Sequence, residues 1–110
     1  MMKYGNPRRD LYADVPEDIA ESAIAALEPK CIDHVLTGPA KCAWRDIPVA
    51  YILGEDDRAV QVEAQRTMIN HAREDGVEVE TAVLKASHSP FLSMPDETAR
   101  LVIGFVGSGD

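Results

Sequence analysis

Two short polar segments contain the residues best suited to acid–base chemistry. Residues 54–59 read G-E-D-D-R-A and follow an apolar run, and residues 85–90 read K-A-S-H-S-P and follow a second one. In parallel α/β sheets, the loops beyond the carboxyl ends of neighbouring strands meet in one crevice. A carboxylate that accepts the Nδ1–H of an imidazole fixes its tautomer and leaves Nε2 free to take a proton from a nucleophile. The sequence therefore predicts an acid–histidine pair between the two loops.

The residues by themselves leave open which acid is used and what the pair does. Asp56 and Asp57 are adjacent in the first loop, and His88 is the histidine of the second. Surface charge and loop packing account for such residues as well as catalysis does. A catalytic pair also needs a nucleophile, and Ser87 and Ser89 lack the strained strand-to-helix turn and the oxyanion donors that activate a serine. We expect neither serine to act as one.

The other histidines and the two cysteines form no recognisable metal or redox pattern. His34 and His71 stand alone, without HxxxH or HxH spacing, and we interpret both as structural or surface residues. Cys31 and Cys42 match neither a CxxC motif nor a zinc-binding spacing, so we expect free thiols. The sequence predicts no metal and no cofactor.

Composition restricts the class of partner. Eleven Lys and Arg against nineteen Asp and Glu give a formal net charge of −8, and the basic residues do not cluster. Such a chain repels phosphate backbones and anionic membranes. No apolar run approaches the roughly 20 residues of a membrane span, and the first residues lack the apolar core of a signal peptide. We expect a cytoplasmic protein with no nucleic-acid or membrane partner.

Apolar periodicity predicts the elements in the first part of the chain. Apolar residues at steps of three and four predict a helix between Asp14, a candidate N-cap, and Pro29. Residues 30–46 are predicted to be an irregular connection around Trp44, with a helical turn near 32–36.

The second part of the chain predicts alternating strands and helices. Residues 47–53 are almost wholly apolar, which is typical of a parallel strand covered on both faces. An amphipathic helix ending at Gly76 follows, and residues 77–84 form a second strand. A last helix is predicted after Ser93, as N-cap, and ends at Gly107. This order predicts an α/β fold with a parallel βαβ unit.

Two strands alone leave sheet edges and apolar faces uncovered. The 110 residues suit one domain, but a large α/β enzyme has roughly 250 residues. We therefore expect either further strands from outside this chain or self-association through an exposed sheet edge.

The first polar loop resembles a known family pattern. Residues 47–60, followed by Gln65, are similar to the late strand and acid-bearing loop of the α/β-hydrolase superfamily. The closest resemblance is to the branch of plant methyl esterases and hydroxynitrile lyases, which reads P-x-x-Y-I-x-C-x-x-D-x-x-I-P-x-x-x-Q. The match implies that Asp57, rather than Asp56, is the triad acid.

The second polar loop resembles the same family. Residues 86–97 are similar to its G-x-x-H-x-P-x-x-x-x-P histidine loop, and the match implies that His88 is the triad base. The chain departs from the family at Gly54, which is often cysteine, and at Gln61, which is usually proline. Neither position carries the proton chemistry.

The resemblance extends to the start of the chain. Residues 10–18 and the helix after them resemble the end of the helical cap that covers this family's active site. This implies that residues 1–46 are the end of the cap with its connection, and that residues 47–110 are the C-terminal βαβα portion of an α/β-hydrolase core. Tyr12 and Trp44 would then border a substrate pocket, with a packing role as the alternative for each.

The resemblance implies a serine hydrolase that acts on a small carboxylic ester. Asp57 would orient His88, and His88 would activate a serine. The family's G-x-S-x-G elbow does not occur in these 110 residues, so the nucleophile-bearing N-terminal part is missing and the isolated chain is expected to be inactive. Two alternatives stay open, namely hydroxynitrile lyase-type chemistry in a full-length relative and a non-catalytic α/β binding or oligomerisation module.

Overall fold

Helices and strands alternate in the second part of the chain, as the apolar patterns predict. The computed structural model describes residues 5–28 and 41–108. In chain order the elements are helices α1 (Pro7–Asp10) and α2 (Glu17–Ala25), a 3-10 turn (Ala43–Arg45), strand β1 (Val49–Gly54), helix α3 (Val62–Glu74), strand β2 (Val79–Leu84), and helices α4 (Pro90–Ser93) and α5 (Pro95–Ser108).

Strands β1 and β2 pair in parallel and form the sheet of the described residues. The register runs from Val49 opposite Val79 to Gly54 opposite Leu84. Helix α3 connects the two strands and packs against both, because parallel neighbours need a crossover that returns the chain to the same end of the sheet. The predicted α/β architecture is confirmed. Both polar loops follow the carboxyl ends of the two strands and so leave the sheet at the same end.

Burial of β1 is limited to its carboxyl end. Leu53 is 1% exposed and Gly54 is buried, whereas Tyr51 and Ile52 are half-buried and Ala50 is exposed. The prediction of a strand covered on both faces is therefore wrong for most of β1. The physical reason is that, among the described helices, α3 alone has extensive contacts with the sheet. One helix leaves most of β1 without a cover on both faces.

The helix predicted after Asp14 forms, but Asp14 does not cap it. The N-cap of α2 is Pro16, and no side chain caps the helix. The carboxylate of Asp14 accepts hydrogen bonds from Ser87 instead. A long-range partner has thus replaced the local capping role that the sequence predicted.

A small apolar core holds the N-terminal segment. Tyr12, Val15 and Ala20 are buried together, and Leu92 of α4 packs against them. Helix α2 ends at Ala25, before the end predicted at Pro29. Pro29 itself and the predicted turn at 32–36 lie outside the described residues, as do Cys31 and His34. Within the described ranges, no helix combines the length and the apolar character needed to cross a bilayer.

The last helical segment is divided in two. Ser93, predicted as an N-cap, is the last residue of α4, and its N–H donates to the carbonyl of Ser89. Helix α5 starts at Pro95, which has no N–H to satisfy in a first turn, and continues through Gly107, because a glycine weakens a helix without necessarily ending it.

Gly76 follows α3 with a φ of 87°, the left-handed conformation of a helix terminus, and so ends that helix as predicted.

Candidate active site

Asp57 is fixed by the turn that follows β1. Its Oδ1 accepts the N–H groups of Ala59, at 2.8 Å, and of Val60, at 2.9 Å. Aspartate often closes a loop in this way because its short side chain reaches amides two and three residues ahead. The turn uses Oδ1, which leaves Oδ2 for another partner.

The buried side chain of Gln65 holds this loop against the end of β1. Gln65 is 1% exposed. Its Oε1 accepts the N–H of Gly54 at 3.1 Å, and its Nε2 donates to the carbonyls of Gly54, at 3.1 Å, and Val60, at 2.7 Å. Its Nε2 also lies 3.4 Å from Oδ2 of Asp57. The sequence pattern matched Gln65 by spacing alone, and only the folded chain reveals that it clamps the acid-bearing loop.

Backbone hydrogen bonds tie the histidine loop to the acid loop beyond the end of the sheet. The N–H of Glu55 donates to the carbonyl of Leu84 at 2.9 Å, and the N–H of Asp56 donates to the carbonyl of Ala86 at 3.0 Å. The loops approach closely because residue 54 is glycine, where a Cβ would lie 3.0 Å from the carbonyl oxygen of Ala86. The two loops therefore leave the sheet as one connected unit.

The predicted contact between acid and histidine is present. Nδ1 of His88 lies 2.9 Å from Oδ2 of Asp57. A carboxylate accepts hydrogen bonds, so in a neutral imidazole this contact favours the tautomer with the proton on Nδ1 and leaves Nε2 as an acceptor. The Asp57 side chain is 8% exposed and that of His88 is 38% exposed, so the acid is buried beneath a solvent-accessible imidazole. The alternative acid, Asp56, is exposed, and the structure brings Asp57 to the histidine.

Neither Tyr12 nor Trp44 lines the crevice that includes Asp57. Tyr12 is buried in the N-terminal core. Trp44 lines a cavity of about 370 Å³ with Val49 and Val79, the first residues of the two strands. At about 3.3 Å per residue, a six-residue strand separates that end of the sheet from the polar loops by roughly 17 Å. The guanidinium of Arg45 stacks 4.7 Å from the Trp44 ring centre, which favours a packing role for the tryptophan.

Comparison with known proteins identifies the family. A sequence profile described as "Alpha/beta hydrolase family" matches residues 2–101. The chain belongs to the alpha/beta hydrolase family. It is 29% identical over 97 residues to "Alpha/beta hydrolase nvfD" of Aspergillus novofumigatus, in a match that covers 88% of this chain and 38% of that protein.

The alpha/beta hydrolase fold is also evident from a solved structure. The chain is similar to the crystal structure of polyneuridine aldehyde esterase, with a TM-score of 0.72 and 16% sequence identity. This match covers 94% of the chain and 40% of the esterase. The chain thus spans about two fifths of the length of these two relatives, and it contains part of the α/β-hydrolase fold.

No serine hydroxyl is bonded to His88 among the residues of this alpha/beta hydrolase that the structure describes. Ser87 and Ser89 are 1% and 3% exposed, and the hydroxyl of Ser87 donates to Oδ1 of Asp14. Its hydroxyl proton is therefore directed to a carboxylate and not to the imidazole. That neither serine is the nucleophile stays a prediction.

An acidic crevice of about 420 Å³ adjoins the pair, with Asp14, Asp57 and Ser87 on its wall. Burial and, after it, the negative charge of Asp57 raise the pKa of the nearby Tyr51 phenol.

No group of three or more His, Cys, Asp or Glu side chains within 5–28 and 41–108 could hold a metal ion. Cys42 is a free, half-buried thiol.

Proposed function

We propose that this chain supplies the acid and the general base of an ester hydrolase whose nucleophilic serine lies outside these 110 residues. The observation that carries the proposal is the 2.9 Å contact between Nδ1 of His88 and Oδ2 of Asp57. Membership of the alpha/beta hydrolase family and the similarity in fold to polyneuridine aldehyde esterase support it.

The proposed reaction is acyl transfer through the exposed face of His88. Nε2 takes the proton of the serine hydroxyl while the serine oxygen attacks the ester carbonyl, and Asp57 stabilises the imidazolium that forms. The same proton passes to the departing alcohol as the acyl-enzyme forms. His88 then removes a proton from water as the water oxygen attacks the acyl-enzyme, and it gives this proton to the serine oxygen as the acyl–serine bond breaks and the carboxylic acid is released. We propose a small carboxylic ester as substrate.

A chimeric enzyme tests the assignment of both residues. In this experiment, the 97 matched residues replace the corresponding part of the Aspergillus relative, which supplies the remaining part of its fold. Hydrolysis of p-nitrophenyl acetate is measured as kcat/KM. We expect Asp57→Asn and His88→Ala each to lower kcat/KM by about 10³- to 10⁴-fold, because each removes a member of the proton-transfer pair.

Matched controls separate this role from general effects of charge and fold. Asp56→Asn removes the same charge at the neighbouring position, and His71→Ala removes an exposed histidine of α3; both are expected to leave kcat/KM within about twofold, as surface substitutions usually do. Equal losses in the Asp56 and Asp57 variants, or full activity without His88, would refute the assignment. Cleavage of mandelonitrile in place of the ester would assign lyase chemistry instead.

The chain on its own is predicted to be inactive. His88 has no serine hydroxyl within hydrogen-bond reach among the described residues, and a base without a nucleophile or an oxyanion hole does not catalyse acyl transfer. The measurement is p-nitrophenyl acetate hydrolysis by the purified 110-residue chain, compared with its His88→Ala variant. Turnover above background that disappears in the variant would contradict the prediction and would direct attention to Ser89.

A further inference from the structure

One long-range contact reaches the residue next to the proposed base. Asp14 lies between α1 and α2, 73 positions before Ser87. Its Oδ2 accepts the N–H of Ser87 at 3.1 Å, and its Oδ1 accepts the Ser87 hydroxyl. One carboxylate thus binds both donors of the residue that immediately precedes His88.

The Ala86–Ser87 peptide is held from both sides. Its carbonyl oxygen, on Ala86, accepts the N–H of Asp56 at 3.0 Å. Its N–H, on Ser87, donates to Asp14 at 3.1 Å. Because a peptide unit is planar, two bonds to its opposite polar groups fix its orientation, and therefore fix the direction in which the chain continues to His88.

Asp14 is an exposed residue that directly precedes a buried one. The next residue, Val15, is 2% exposed and belongs to the core that includes Tyr12 and that Leu92 of α4 contacts. The desolvation of the Asp14 carboxylate would raise its pKa, but the hydrogen bonds from the Ser87 hydroxyl and N–H, together with those from Ser93 and its own backbone, outweigh this and lower it. The side chain is consequently ionised at neutral pH and accepts with both oxygens.

We propose that Asp14 is a positioning residue for His88, which sets the backbone from which the imidazole reaches Asp57. The catalytic meaning of this role rests on the proposed function, but the geometric claim does not. The alternative is that Asp14 only anchors the N-terminal segment and leaves the imidazole unaffected.

The test is nitrogen NMR of the whole 110-residue chain, which reads the His88 ring directly. The ¹⁵N shifts of Nδ1 and Nε2 give the ratio of the two neutral tautomers, at a pH well above the usual histidine pKa of about 6.5. We expect Asp14→Ala to shift this ratio roughly two- to tenfold towards the Nε2–H form, the range that the loss of one net hydrogen bond would produce. Asp14→Asn keeps one acceptor oxygen and is expected to restore part of the wild-type ratio.

Controls distinguish positioning from anchoring. Asp18→Asn removes an equal charge from an exposed position four residues away and should leave the ratio unchanged. Ser87→Ala removes the hydroxyl contact alone and should give a smaller shift than Asp14→Ala, so it tests the inference if Asp14→Ala fails to fold. Circular dichroism and thermal melting establish that each variant is folded.

The outcomes for the two proposals differ. A folded Asp14→Ala chain with the wild-type ratio, or an Asp18→Asn chain that shifts as much, overturns the positioning role. If Asp57→Asn also leaves the ratio unchanged, the acid–histidine pair itself fails, and with it the proposed function. A shift with Asp57→Asn but none with the Asp14 and Ser87 variants leaves the pair intact and reduces Asp14 to an anchor.

Discussion

At the scale of single residues, the site combines side chains whose roles differ in how far they can be read from sequence. Asp57 and His88 follow successive parallel strands, so their meeting could be predicted from the positions of two loops. Asp14 could not be assigned in this way. Its place before a proline and two acidic residues is typical of a helix cap, and its actual partner lies 73 positions away, beyond any local pattern. The catalytic role of the pair stays a prediction.

The phenol of Tyr51 reports on the charge of Asp57. Burial and then this charge raise the pKa of Tyr51, so the folded state keeps the phenol protonated to higher pH than the unfolded state. The resulting stabilisation is complete below the ordinary tyrosine pKa of about 10 and is lost as the pH rises through the raised value. We expect Asp57→Asn to lower the pKa of Tyr51 without returning it to its ordinary value, because burial, the larger cause, remains.

The measurement is the tyrosinate absorbance as a function of pH, with a Tyr51→Phe chain subtracted to isolate this phenol. Asp56→Asn is the matched control, since its carboxylate is exposed and does not contribute to the raised pKa. An equal effect of both substitutions would contradict the role assigned to Asp57.

At the scale of elements, sequence patterns predict the order of strands and helices better than their ends. Alternation and apolar runs depend on local periodicity, which the residues display directly. The starts of β1 and β2, at Val49 and Val79, depend on which residues pair across the sheet, and the division between α4 and α5 depends on a turn at Met94 that continues no periodic pattern. Such boundaries are set by contacts that lie outside each element's own residues.

The end of β1 requires a residue without a side chain. A Cβ at Gly54 would lie 2.9 Å from the carbonyl oxygen of Ser87, and a backbone atom cannot move aside as cheaply as the end of a flexible side chain. We expect Gly54→Ala to lower the free energy of unfolding by about 1–3 kcal/mol, the usual cost of overpacking, measured by urea denaturation.

Gly104 is the matched control for this substitution. It lies within α5 with nothing near the position of a Cβ, so alanine there should raise the free energy of unfolding by about 0.5–1 kcal/mol through helix propensity. A Gly54→Ala chain as stable as the wild type would show that the histidine loop can move aside, and would argue against a rigid connection between the two loops.

At the scale of the whole molecule, large apolar side chains face solvent. In the described residues the sheet has two strands, so each has an edge without a neighbour, and helix α5 exposes 71% of Ile103 and 70% of Val106. The sequence predicted such surfaces from the small number of strands. It could not predict which helix would carry them, because that depends on how α5 lies against α4.

We expect the purified chain to self-associate through these surfaces. The measurement is light scattering coupled to size exclusion over a range of protein concentrations, where the apparent mass should rise with concentration. Ile103→Glu is expected to weaken association, because it replaces an exposed apolar residue with a charge. Arg100→Gln makes the same change in net charge on the same helix without loss of apolar surface, and should have little effect. A chain that stays monomeric at every concentration would refute this expectation.

The hydrogen bonds that continue past the sheet also limit how the two loops can change in length. Glu55 bonds to Leu84 and Asp56 bonds to Ala86, so each of these two residues of the first loop has a fixed counterpart at the end of β2 or just after it. One residue inserted before Asp57 would move the carboxylate along this ladder while His88 kept its place. An insertion that preserves their contact must therefore lie beyond Asp57 in one loop, or be matched by a compensating insertion in the other.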